Sequence, residues 1–188
     1  MYIEHDTVSY AVHSMMHRAV VRMTPTKLEM LDGYEKSDSG YMFSPEETGV
    51  RVIISGRNWD EKRLLIYGGT STEEASGYVE QVVEDVRAIG HEAVGVHEPE
   101  ITNLAVSGDF DIPLSLESLF WTLDEREDVT VEYEPEQFPA AIVRLDEPEA
   151  TFMLYSTGKF VIQGLTELDS VDEAVEKMVN ILNGAKGS

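Results

Sequence analysis

Cysteine is absent from the 188 residues, which rules out disulfides, zinc sites built on thiolates and thiol nucleophiles. Basic residues are scarce: 14 lysines and arginines stand against 36 aspartates and glutamates, for a formal charge of -22. No apolar run approaches the roughly 20 residues of a membrane helix, and Met1 to Val20 has neither the basic start nor the apolar core of a signal peptide. A cytoplasmic protein with no membrane partner is expected. Disorder is excluded as the main state, because hydrophobic residues make up 42% of the chain and are spread along it between ordinary turn signals. The length suits one large domain or two of roughly 90 residues, each near the lower size at which a core holds unaided.

The acid is dispersed and not gathered in a tail. Dispersed carboxylates keep a protein soluble by mutual repulsion, and a Debye length of about 3 Å in molar salt removes most of the destabilising cost. This suggests a halophile; an ordinary acidic cytosolic protein is the other reading. The charge opposes electrostatic binding to nucleic acid, which relies on cations that replace counterions condensed on phosphates. It does not oppose affinity gained by burying apolar surface on deformed DNA.

From Pro99 onward the patterning is clear. A strand is predicted over Ile101 to Val106, then an amphipathic helix over Leu114 to Leu123 with Leu116, Leu119, Phe120 and Leu123 on one face. Four strands follow, at Val129 to Tyr133, Ala140 to Leu145, Ala150 to Tyr155 and Phe160 to Gln163, with a hairpin turn at Ser156 to Lys159. A last helix is predicted from Ser170 to Leu182, with Ser170 as N-cap and Glu173 at capping-box spacing. The order strand, helix, four strands, helix describes an antiparallel sheet with helices on one face.

The first half repeats that ending. LLIYGGTSTEEA, from Leu64, parallels FVIQGLTELDSV, from Phe160, and aligns Gly68 with Gly164. Arg63 to Tyr67 reads as a strand and Ser71 to Ile89 as a helix with Val79, Val82, Val83 and Val86 inward. Upstream, Val50 to Ser55 matches Ala150 to Tyr155, and Tyr34-Glu35 matches Tyr133-Glu134. Asp6 to Met23 stays open between a strand over Thr7 to His13 and a helix carrying Val8, Ala11, Val12, Met15 and Ala19; the repeat favours the strand. The expected division is one repeat over residues 1–98 and a second over 99–188.

Three blocks in the second half, YEPEQFP (Tyr133 to Pro139), AAIVRLDEP (Ala140 to Pro148) and LYSTGKFVIQG (Leu154 to Gly164), closely resemble the second repeat of archaeal TATA-box-binding proteins. The resemblance covers roughly half the chain. It implies an α+β saddle of two pseudo-repeats, with a curved antiparallel sheet, helices on the convex face and the concave face on the minor groove of A/T-rich promoter DNA. Minor-groove binding and kinking are properties of that family and do not follow from spacing here. The residue types can still be rationalised. The groove offers mainly acceptors at A·T pairs, which suits a flat apolar face carrying a few amide donors, and aromatic wedges can pry open a base step.

Carried over residue by residue, the pattern puts Phe138 and Tyr155 at the two wedge positions, the tyrosine replacing the usual phenylalanine. Met153 and Val161 would line the groove, Asn103 would offer an amide to base edges, and Arg144 and Lys159 would meet phosphates. Gln163 replaces the family's threonine. Glu134 and Glu136 fall in the loop that, by resemblance, engages basal transcription factor B.

In the first half, the same alignment puts Tyr10 at the asparagine position and Ser39 and Ile54 at the wedge positions, none of them matching. The hairpin from Ser55 to Leu64 is longer than its counterpart and carries Arg57, Trp59, Lys62 and Arg63. Residues 1–98 hold 9 basic and 17 acidic side chains, net -8, against 5 and 19, net -14, in residues 99–188.

The leading expectation is therefore a transcription factor that binds A/T-rich promoter DNA and recruits basal factor B. The alternative is a protein-interaction module that binds a transcription factor, another such protein or a second copy of itself without bending DNA. His13 and His17, four apart, form the one candidate metal pair, but no nucleophile, phosphate loop or acid-base pair accompanies them. Neither an enzyme nor a cofactor is expected.

Overall fold

The computed structural model describes residues 2–56 and 60–185. In chain order the elements are β1 (Ser9–Met23), β2 (Tyr34–Ser37), β3 (Gly40–Phe43), β4 (Arg51–Ser55), β5 (Glu61–Tyr67), α1 (Thr72–Ala88), β6 (Ala93–Gly95), β7 (Glu100–Asp109), α2 (Leu116–Leu123), β8 (Val129–Glu132), β9 (Ala140–Asp146), β10 (Glu149–Tyr155), β11 (Lys159–Leu165) and α3 (Asp169–Ala185). They form two compact units, one of Ser14–Thr102 and one of Met1–His13 with Asn103–Ser188. The N-terminal segment thus belongs with the later part of the chain, a different division from the sequence repeat at residue 98.

In the unit of residues 14–102, the strand order is β2-β3-β4-β5-β1, with β6 on the far end of β1. The ladders are antiparallel, running Arg51↔Tyr67 to Ser55↔Arg63 and Met16↔Tyr67 to Arg22↔Glu61. Alternation sends Val52, Ile54, Leu64, Ile66, Ala19 and Val21 to one face. The stripe Ala75, Val79, Val82, Val83 and Val86 of α1 covers that face and completes one core. Each valine, leucine or isoleucine in it contributes about 1.5–3 kcal/mol on burial.

The N-terminus of α1 forms because Ser71, in extended conformation, accepts the Glu74 N–H with its hydroxyl at 3.1 Å. The Glu74 carboxylate in turn accepts the Thr70 N–H at 2.9 Å. The hydroxyl satisfies one orphan donor of the helix and the carboxylate holds the backbone just before the N-cap, one residue offset from the usual capping box.

In the other unit the order is β7-β11-β10-β9-β8. Leu104, Val106, Ala141, Val143, Phe152, Leu154, Phe160 and Ile162 point to the helix side and are buried, as are Leu116, Leu119 and Leu123 of α2 and Val171, Ala174, Val175, Met178, Val179 and Leu182 of α3. Phe160 stacks on Phe110 with centroids 4.4 Å apart. Gly108, paired with Phe160, must be glycine because a Cβ there would overlap the phenylalanine ring.

One expectation is corrected here and one open alternative is decided. Ser170 is not the N-cap of the last helix, which already begins at Asp169 and whose first turn carries Asp169 and Asp172. For the segment from Asp6 to Met23 the strand reading holds and the helix reading does not, and the strand runs further than Thr7 to His13. After a single turn at His5–Thr7 it forms a 15-residue strand.

Candidate nucleic-acid interface

The face of each sheet turned away from its helices carries the second set of alternating residues. In the unit containing residues 103–188, register aligns Thr130, Arg144, Thr151 and Gln163 in one row, and Glu132, Ile142, Met153, Val161 and Ser107 in the next. Tyr155 lies across from Ala140, and Lys159 across from Asp109. Arg144, Met153, Tyr155, Lys159, Val161 and Gln163 are therefore on one open surface. Thr151, Ile142 and Ser107 join them; alternation alone could have found these three once the strand pairing was known.

Asn103 shares that side of β7. Its Oδ1 accepts the Gly164 N–H at 2.8 Å, where β7 and β11 slip register between Ile162 and Leu165. This bond assigns the amide: the oxygen is engaged and the NH2 is left to donate. Gly164 adopts a left-handed φ of 93° at the slip, a conformation that favours glycine.

Phe138 sits in the loop of residues 133–139 between β8 and β9, where the Glu134 carbonyl accepts the Gln137 and Phe138 N–H groups. Its ring is 38% exposed and meets Tyr155 edge-on, with centroids 6.4 Å apart and planes at 63°. The two aromatics form one apolar step at the margin of the open face, with Phe138 exposed and Tyr155 half-buried, and neither lies beneath the helices. Glu134 and Glu136 are exposed in the same loop.

The electrostatics of this face are mixed. Arg144 donates to Glu132 at 2.6 Å, with both side chains about half exposed. Asp109, Glu132, Asp146 and Glu149 alternate onto the same side as Arg144 and Lys159. This pair engages one of the guanidinium's nitrogens and leaves its other donors open.

The unit of residues 14–102 gives a second open face, and its register corrects the alignment read from sequence. Gly40 pairs with Ser55 as Ala140 pairs with Tyr155, so Ser55, not Ile54, is the counterpart of Tyr155. Ile54 points into the core at 1% exposure. Phe138 has no counterpart at Ser39, because the two-residue turn Asp38-Ser39 joins β2 to β3 where the other unit has its loop of residues 133–139. Tyr34 pairs with Phe43 as Val131 pairs with Val143, so Tyr34 corresponds to Val131 and not to Tyr133.

Tyr10 is not the counterpart of Asn103. Its hydroxyl donates to Asp172 of α3 at 2.5 Å, on the helix side, and burial followed by that bond pushes its pKa up to about 12. Met15 exchanges backbone hydrogen bonds with Gly68 and Gly69 where Leu104 pairs with Leu165, which makes Ser14 the position equivalent to Asn103. Arg57 and Trp59 lie outside the described residues, while Lys62 donates to the Gly56 carbonyl at 3.1 Å.

The histidine pair separates. His13 Nδ1 is 2.7 Å from the Ser107 hydroxyl at the surface. His17 is fully buried, with Nε2 3.0 Å from the Thr72 hydroxyl. Loss of hydration pushes the His17 pKa down, opposed by the nearby Glu74 carboxylate. Among the described residues no group of three or more histidine or carboxylate side chains is placed to hold a metal ion, and no helix is long and apolar enough to cross a membrane.

The fold is similar to that of a solved structure, Methanococcus jannaschii TBP. The two match with a TM-score of 0.77 over 94% of this chain and 99% of that one, at 22% identity. The family model described as transcription factor TFIID (or TATA-binding protein, TBP) matches residues 98–185. The TATA-box-binding protein of Methanopyrus kandleri is 34% identical over 141 residues, 74% of each chain. That of Thermococcus sibiricus is 32% identical over 75% of this chain and 70% of its own. The chain belongs to the TATA-box-binding protein family, whose members are DNA-binding transcription factors and not enzymes.

Proposed function

We propose that this protein is a TATA-box-binding transcription factor that lays its open sheet faces on the minor groove of A/T-rich promoter DNA and recruits basal transcription factor B. The observation that carries this reading is the edge-on Phe138–Tyr155 pair, exposed at Phe138 and half-buried at Tyr155, at the margin of the open face. An edge-on aromatic step can enter a base step from the groove, and unstacking bends the duplex toward the major groove.

The neighbouring residues suit the groove chemically. Its floor at A·T pairs presents acceptors, and the Asn103 NH2, with Oδ1 already held by Gly164, presents a donor. Met153 and Val161 are cross-strand partners and give an uncharged surface that can approach the bases closely. Lys159, and Arg144 through the donors that Glu132 leaves open, serve the phosphates. Gln163 brings a longer amide to the row of Arg144 and Thr151. The exposed carboxylates of Glu134 and Glu136 form the contact for basal factor B. Working in concentrated salt, as a halophile's protein does, removes most of the repulsion between the acidic surface and DNA.

The test is fluorescence resonance energy transfer between labels on the two ends of a TATA duplex in molar KCl. Wild-type protein brings the ends together, and Phe138→Ala abolishes the change. An unchanged efficiency on adding wild-type protein would count against promoter bending. Retention of basal factor B by that same protein would then support the role of an interaction module.

A further inference from the structure

The two open faces differ in chemistry at equivalent positions. In the unit containing residues 103–188 the face carries the aromatic step and is acidic, with Arg144 and Lys159 against Asp109, Glu132, Asp146 and Glu149. In the unit of residues 14–102, Arg18, Arg22, Arg51 and Arg63 share one face with Glu35 and Glu61, around the apolar patch Met42, Ile53 and Leu65. Four of the 14 basic residues of a chain with net charge -22 are thus concentrated on one sheet face. Arg51 lies over the Tyr67 ring at 5.9 Å, and Arg63 has no ion-pair partner among the described residues. Arg18 and Arg22 are bound to Glu100 and Glu61.

Among the described residues, the margin of this face has no counterpart of the Phe138–Tyr155 step. Ser55 stands where Tyr155 does, and the turn Asp38-Ser39 replaces the loop that carries Phe138. Arginine on a flat sheet complements duplex phosphate, and without a wedge it grips without unstacking.

We infer that the units divide the work: the face of residues 14–102 clamps the phosphates of an A/T-rich duplex through Arg51 and Arg63 and leaves its bases stacked, so the protein opens one step, at the Phe138–Tyr155 side, and not two. This rests on the promoter-binding reading above. It adds a phosphate-binding role for residues outside the motif-bearing half and makes the deformation of the DNA one-sided.

The experiment uses full-length protein and a set of TATA duplexes, each with 2-aminopurine at a different step, together with a binding titration across KCl. The expected result is a fluorescence rise at a single location, lost in Phe138→Ala. In the Arg51→Gln/Arg63→Gln double variant, affinity falls, the slope of log affinity against log salt shifts positively by about 0.9 per lost phosphate contact, and the fluorescence rise at saturation is kept. Two separated locations that brighten, or a double variant with unchanged affinity and slope, would overturn the inference. A wild-type protein that binds no duplex at all overturns the promoter-binding reading itself.

Discussion

Asn183, near the end of α3, holds the backbone of Ile3 with both ends of its amide: Oδ1 accepts the Ile3 N–H at 2.8 Å, and Nδ2 donates to the Ile3 carbonyl at 2.9 Å. The side chain stands in for a neighbouring strand, and Ile3 is buried at 1% exposure. This pair explains why the first residues of the chain belong to the unit formed by its end.

Replacing Asn183 by alanine orphans a backbone donor and a backbone acceptor at once, at a cost of about 1–3 kcal/mol. Urea unfolding in high salt should show a lower midpoint with little change in slope. Asn183→Asp, which keeps the acceptor and loses the donor, should fall between wild type and alanine. If the alanine variant melts like the wild type, the clasp is incidental.

The two helix starts should respond differently to the same substitution. Ser71 accepts the Glu74 N–H, so Ser71→Ala costs about 1 kcal/mol. Ser170 lies inside the first turn of α3, so Ser170→Ala should stay within about 0.5 kcal/mol of wild type. Thermal melts of the two variants side by side decide this, and equal shifts would contradict the helix start at Asp169.

Acid sensitivity should trace partly to His17. Its pKa is pushed below the ordinary histidine value by burial, so the unfolded chain takes up a proton near pH 6.5 that the folded chain refuses. Stability from this site is complete above about pH 6.5 and is lost as pH falls from there toward the depressed folded value. His17→Gln, which can still reach Thr72, should flatten that part of the stability-pH curve. A slope unchanged by the substitution would assign the acid loss elsewhere.

Affinity for a TATA duplex should stay flat or rise as KCl increases, because acidic groups brought near phosphates take up cations on binding, opposing the usual counterion release. Titrations on TATA and scrambled duplexes check this. A steep fall with salt would discredit apolar contact as the source of affinity and concentrated salt as the working condition.

The second half was legible because its alternation, turn glycines and motif blocks agree: each predicted strand from Val129 to Gln163 lies within a residue or two of its observed place. β1 was not. Its buried positions are Met15, His17, Ala19, Val21 and Met23; a histidine in the series disguises the period of two, and Val8, Ala11, Val12, Met15 and Ala19 imitate a helical stripe. Pairing with β5 overrides that local ambiguity. The second wedge position of the first half was misplaced by one residue, at Ile54 for Ser55, for a related reason. Sequence alignment crossed the point where a loop of residues 133–139 faces a two-residue turn, and a slip of one moves a side chain to the opposite face.

The amino-acid sequence by itself determined the membership of the family and most of the strands and helices of the second half, because short motifs and local periodicity encode these. Only the tertiary structure decided which residues share a face. Ser55 standing for Tyr155, Arg51 and Arg63 meeting on one surface, and Asn183 clasping Ile3 all depend on strand register and on contacts between distant parts of the chain. Register is set by the packing of a whole sheet against its helices, an energy no local stretch of sequence contains.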